Sequence, residues 1–111
     1  MTNMTTDLYV LDERGEPQPC DDVLAWGRWF ETAERHVAQD MDEGEGAERV
    51  RVSTVFLGID HNWHGDGPPV LWETLVFGGP LDGEMQRYCS KAHALVGHQA
   101  MCQRVRVAGR L

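Results

Sequence analysis

The sequence is short of lysine, of cysteine and of long apolar runs, and each shortage excludes something. Lys91 is the single lysine among ten basic residues, which face eighteen acids for a formal charge of −8. A general nucleic-acid binder needs Lys and Arg to neutralise phosphates, so direct nucleic-acid binding is not expected. Cys20, Cys89 and Cys102 are odd in number, and no two have the close spacing of a zinc frame. A disulfide framework and a closed metal site are both unexpected, and reduced thiols in a cytoplasm fit the pattern. No stretch approaches the ~18 apolar residues of a membrane span, so no membrane role is read. The opening segment lacks a basic start and an apolar run, so no secretory signal is read there.

What is present is the composition of an ordinary folded domain. The 111 residues are 41% hydrophobic and 25% charged. That length matches a single domain over 1–111, with residues 1–7 expected to be disordered. The acidity is uneven. Residues 1–48 hold three arginines against thirteen acids, a balance of −10, and residues 49–111 hold seven basic residues against five acids, a balance of +2.

Leu8-Tyr9-Val10-Leu11 has strand composition and predicts a strand over about 8–12. Gly15 marks a turn, and Pro17 and Pro19 limit the segment after it to an edge hairpin or an extended arm. Asp21 or Asp22 can cap a helix. Val23, Trp26, Phe30, Ala33, Val37 and Met41 recur at helical steps, which predicts one amphipathic helix over about 22–41. An acidic loop with glycines comes next, without the glycine placement of an EF-hand. Residues 50–61 and 70–77 read as a hairpin. With His61 opposite Val70, Phe56 faces Leu75, Thr54 faces Phe77 and Gly58 faces Glu73. On the other side Ile59 faces Trp72 and Val55 faces Val76, so both faces come out apolar. Ser90 caps a second helix over about 90–107, with Ala94, Leu95, His98, Met101, Cys102 and Val105 on one face and Gly97 in its interior. The expected fold class is α+β, a small antiparallel sheet with two helices on one face. The second face is then expected to meet the N-terminal segment or another copy of the chain, which favours a homodimer or higher oligomer.

Asp60, His61 and His64 sit at the hairpin tip near Asp66. Such groups can bind divalent ions, but no HExxH or CxxC frame backs them, and a solvated tip is the preferred reading. His98 falls on an apolar helix face, and Glu73 is a carboxylate inside a strand. Burial forces such groups to pair, so His98 is expected to bond Glu73 or Asp60 as a structural polar pair rather than an acid–base pair. Arg87 and Tyr88 complete a candidate ligand or polar cluster of Asp60, His61, Glu73, Arg87, Tyr88 and His98, in which Arg87 pairs with Glu73 or binds an anion. No thiol has a local base, and the glycine pairs match no phosphate loop. No catalytic residue, metal ligand or cofactor is therefore assigned. Trp63 on the hairpin loop is expected to be an exposed contact residue. Ile59 and Trp72, on the second apolar face, complete the candidate interface.

The strand Val52-Ser53-Thr54-Val55-Phe56-Leu57-Gly58-Ile59-Asp60-His61 is followed by Pro68-Pro69-Val70-Leu71-Trp72-Glu73-Thr74-Leu75-Val76-Phe77-Gly78-Gly79. Arg87-Tyr88-Cys89-Ser90, Ala94 and Gly97-His98 come next. This succession resembles a family of small phage and prophage proteins that pair a "VSTVFLGLDH" strand with an "ETMVFGG" strand and an "RYxTxxEAxxGHxxxV" segment. The opening from Tyr9 to Asp22 and the Trp26, Trp29, Phe30 helix are also similar to this group. Where the family carries an acid before Ala94, this chain has His93. The resemblance implies a phage genome as the source and implies no biochemical activity. The combined expectation is a small cytoplasmic phage accessory protein, in the infected host cell, that binds a host or phage macromolecule without catalysis. A counter-defence inhibitor is one form of it. The alternatives are a dimeric binder of a small anionic, nucleotide-like ligand, and a metal-dependent or acid–base enzyme using Asp60, His61, Glu73 and His98.

Overall fold

The computed structural model describes residues 7–42, 49–63 and 65–109. Residues 1–6 of the segment expected to be disordered, residues 43–48 of the acidic stretch, His64 and residues 110–111 lie outside those described. The chain is α+β. It runs β1 (Tyr9–Leu11), β2 (Pro17–Pro19), α1 (Val23–Thr32), β3 (His36–Asp42), β4 (Val50–Phe56), β5 (Trp72–Phe77), β6 (Met85–Tyr88) and α2 (Lys91–Ala108). β1 and β2 form a two-stranded sheet, and β3-β4-β5-β6 form a four-stranded one in that order, with every pair antiparallel.

The predicted helix over 22–41 is too long. Asp22 caps α1 by accepting from the Leu24 and Ala25 amides, but the helix stops at Thr32 and Ala33 turns extended. β3 then pairs with β4 from His36↔Val55 to Asp42↔Val50, across a bulge between His36 and Ala38. The stripe that continues through Val37 and Met41 fits either period. Ladder bonds along β4 outweigh the weak local preference for helix. The N-terminal strand also departs from expectation. It joins β2 rather than the main sheet, and only the bridge Leu8↔Ile59 reaches beyond it. The Trp26 indole N–H donates to the carbonyls of Tyr9, at 3.1 Å, and Gly58, at 3.0 Å, and so ties α1 and β1 to the end of β4. Gly58 makes this possible. Its φ is +77°, and Phe30 and Trp26 lie where a side chain would start.

That turn also shifts the hairpin register. His61 still donates to the Val70 carbonyl at the tip, but within the strands Thr54 faces Thr74, Val55 faces Glu73 and Phe56 faces Trp72. The predicted facing of Gly58 with Glu73 and Ile59 with Trp72 fails because β4 ends at Phe56. α2 lies across the four-stranded sheet, whereas α1 packs on β1 and reaches the same face only at its end, where the Trp29 ring meets Phe56 edge-on at 5.9 Å.

α2 starts where Ser90 accepts from the His93 amide. Its buried residues meet the sheet in successive rows. Ala94 meets Phe56, Leu71 and Trp72, and Met101, Cys102 and Val105 meet Val52 and Val76. A helical turn of four residues rises about 6 Å and two strand residues span about 6.6 Å, so the rows stay in step. Trp72, expected at an interface, is 2% exposed within the first cluster, because the true register turns it toward α2. Gly97 sits where a Cβ would fall on the Tyr88 ring. Gly97→Ala should therefore destabilise the protein by about 1–3 kcal/mol through overpacking, although alanine is the better helix former. Urea denaturation checks this, and an equal or higher midpoint contradicts it.

Candidate functional site

Between the two apolar rows lies a polar one. β4 and β5 bring Thr54 and Thr74 opposite each other, and both are 0% exposed. His98 hangs from α2 at 3% exposure, Asp40 comes from β3, and Tyr88 ends β6. Their side chains form one continuous chain. Tyr88 OH donates to Thr74 Oγ1 at 3.0 Å, and Thr74 Oγ1 bonds Thr54 Oγ1 at 2.5 Å. Thr54 Oγ1 bonds His98 Nδ1 at 2.7 Å, and His98 Nε2 bonds Asp40 Oδ1 at 2.7 Å. Donor directions follow from elementary bonding. An ionised carboxylate only accepts, so Nε2 carries the imidazole proton and Nδ1 accepts from Thr54. Thr54 then accepts from Thr74, and Thr74 from Tyr88, so each threonine hydroxyl donates once and accepts once.

The candidate cluster read from sequence is thus divided. His98 bonds neither Glu73 nor Asp60. It reaches Asp40, whose segment reads as helical in the sequence and would then lie elsewhere. Glu73 faces the opposite side of the sheet and accepts from Arg87 Nε at 3.0 Å. Asp60 organises the hairpin tip, where one of its oxygens accepts from the amides of Asn62 and Val70. His61 Nδ1 bonds the Ile59 carbonyl at 2.7 Å, and its ring lies 5.0 Å from that of Trp63. Trp63 is 71% exposed, and half-buried Ile59 forms a backbone bridge with Leu8. Arg87 therefore pairs with Glu73, as one of the two expectations had it, while Tyr88 turns to Thr74 on the opposite face. The convergence on His98 is invisible in the sequence because Asp40 and Thr54 reach it from separate strands. The cue that exists is the single polar residue on the helix's apolar face.

Asp40 is the wet end of the chain, with its side chain 57% exposed. It opens into a cavity of about 510 Å³ between α2 and β3, whose wall includes His98, Gln99, Cys102, Gln103 and Arg106. One donor atom each of Asp40, His98 and Cys102 falls within 4.8 Å of the others, which makes these the residues able to hold a metal ion among those described. Burial pushes the Cys102 thiol above its ordinary pKa, and the Asp40 charge adds to this. On the far side of α2 a smaller cavity, of about 250 Å³, is lined by Tyr88, Gly97, Met101 and Arg104 among others.

Comparison with family profiles, with curated proteins and with solved structures finds no match for this chain. Its function therefore rests on the geometry. Several residues of the motifs singled out in the sequence acquire a physical meaning here. Thr54, Thr74, Tyr88, Gly97 and His98 all belong to one buried network or make room for it.

Thr54→Val removes the central hydroxyl and leaves buried groups of His98 and Thr74 unsatisfied, so a loss of about 1–3 kcal/mol is expected. Asp40→Ala should cost no more than about 1 kcal/mol, since water in the cavity can replace an exposed partner. Denaturation of both variants checks the ordering, and Asp40→Ala costing more than Thr54→Val contradicts it. Alkylation provides a separate check. Exposed Cys89 should react with iodoacetamide at neutral pH well before Cys102, which is buried and whose thiol pKa is raised by that burial. Peptide mapping over time reads the order.

Proposed function

We propose that this chain is a small non-enzymatic binding protein that engages a protein partner through the open face of its four-stranded sheet. The observation that carries this reading is the face opposite α2. Val55, Leu75, Phe77 and Met85 lie on it, and no described helix packs against it. Phe77 and Met85 are exposed, an apolar patch of the kind that marks interaction surfaces. The face is flanked by Arg51, stacked over Phe77 at 4.2 Å, and by the Arg87–Glu73 pair. A partner with an apolar centre and acidic rim suits it.

The buried chain speaks against catalysis by its order of exposure. Asp40, His98 and Thr54 reproduce the connectivity of a carboxylate, an imidazole and a hydroxyl nucleophile. In a working triad the hydroxyl faces substrate and the carboxylate is buried. Here the hydroxyl is sealed and the carboxylate is wet. The resemblance to phage proteins supports the cytoplasm of an infected cell as the setting. A host or phage protein, a defence component among them, is then the partner.

A photoreactive residue replacing Leu75 should crosslink one defined protein in such cells, while the same probe replacing Val96 on α2 should not. Phe77→Asp should then weaken that complex about 30-fold or more, the loss of about 2 kcal/mol typical of an interface anchor. Crosslinks from Val96 alone would move the site to α2 and overturn the reading. Crosslinks between copies of this chain would make a second copy the occupant.

A further inference from the structure

We infer that Asp40, His98 and Cys102 form a binding site for a divalent transition-metal ion, zinc by preference, at the floor of the larger cavity. This goes beyond the docking function and does not depend on it. His98 and Cys102 are one helical turn apart on the buried side of α2. At that spacing two side chains on one helix face converge on a single ion. Asp40 supplies a third ligand from the neighbouring edge strand, and the three donor atoms already fall within 4.8 Å of one another. A thiolate with an imidazole and one carboxylate oxygen is a donor set for zinc, not for magnesium or calcium. Three protein ligands leave the fourth tetrahedral position to water or a small ligand, and the cavity of about 510 Å³ provides room for it.

The imidazole is already aimed. A metal-binding histidine is oriented by a hydrogen bond at its other ring nitrogen, and Thr54 Oγ1 holds His98 Nδ1 at 2.7 Å. Metal at Nε2 requires the proton to move to Nδ1, and the hydroxyl chain accommodates that by reversing. His98 Nδ1–H would donate to Thr54, Thr54 to Thr74, and Thr74 to the Tyr88 oxygen. Tyr88 is partly exposed, so its own hydroxyl proton can turn to water. Every group on the chain stays bonded in both directions. Asp40 exchanges its hydrogen bond for coordination, and the Cys102 thiol gives up its proton to solvent.

The test is titration of the purified full-length chain with Co²⁺, followed by displacement with Zn²⁺. One ion per chain should bind and produce a thiolate-to-cobalt charge-transfer band that zinc abolishes. Cys102→Ala should remove the band. Thr54→Val, which keeps all three ligands, should weaken affinity about 10–100-fold as the loss of an orienting partner does. A band that persists in Cys102→Ala assigns the ion to Cys20 or Cys89 and overturns the proposal, as does the absence of any band. Asp40→Asn keeps an oxygen for His98 and lies mostly in solvent. It serves should Cys102→Ala fail to fold, and cobalt affinity unchanged in Asp40→Asn also overturns the site.

Discussion

A row of polar groups crosses the middle of the helix–sheet interface, and the placement of every neighbouring element answers to the need to bond it fully. Thr54 and Thr74 have no exposure at all, and His98 has almost none. An unpaired buried hydroxyl or imidazole costs roughly 1–3 kcal/mol, a large share of a small domain's stability. The row therefore admits one seating of α2. A shift of the helix by one turn would bring Ala94 or Cys102 over the threonines and leave His98 among Phe56 and Trp72, or Val52 and Val76. The same requirement fixes more distant features. β3, held along β4 by its ladder, brings Asp40 to the imidazole, and β6 ends at Tyr88, whose phenol reaches Thr74. Gly97 must lack a side chain so that the phenol can pass.

The apolar rows on either side supply cohesion, and the polar row supplies uniqueness. Apolar contact is tolerant of small slips, whereas a bonded chain running across three strands and a helix is not. One buried polar atom is left out of this arrangement. The Trp72 indole N–H has no hydrogen-bond partner among the described residues, although its ring meets Phe56 at 5.4 Å in an edge-on contact. The aromatic packing evidently outweighs that loss.

Much of the fold is legible in the sequence because its signals are local. Ser90 and the spacing of Ala94, His98, Met101, Cys102 and Val105 define α2 without any knowledge of its neighbours. The two central strands are likewise visible in their runs of valine, threonine and aromatics. The failures occur where a distant partner decides. Val37 and Met41 satisfy a helical step and a strand step alike, and only the open edge of β4 selects the strand. The register slips because a matching tip does not guarantee a matching strand when Gly58 turns the backbone between them. The site inherits both failures. Glu73 is expected under His98, but the true register places it on the other face with Arg87, and the acid that replaces it comes from a strand whose residues read as helix.

The uneven charge of the sequence becomes a property of surfaces once the strands are placed. Three of the four strands behind the open face, β4, β5 and β6, belong to the half of the chain with a balance of +2. The strand from the acidic half, β3, brings the uncharged Gln39 and Met41 to positions opposite Ser53 and Arg51 and His36 opposite Val55, and turns Asp40 to the other side, toward His98. The face thus carries Arg51 and Arg87 against Glu73 on a protein whose total charge is −8. Its local balance is therefore less negative than that of the chain as a whole. Under the docking reading proposed above, an acidic-rimmed partner would meet less repulsion at this face than elsewhere, so long-range electrostatics would favour encounter through it before any apolar contact forms. The acids excluded from the face serve elsewhere. Asp22 caps α1, Asp12 orders the first turn, and Asp40 terminates the buried chain at the cavity where a cation is best received.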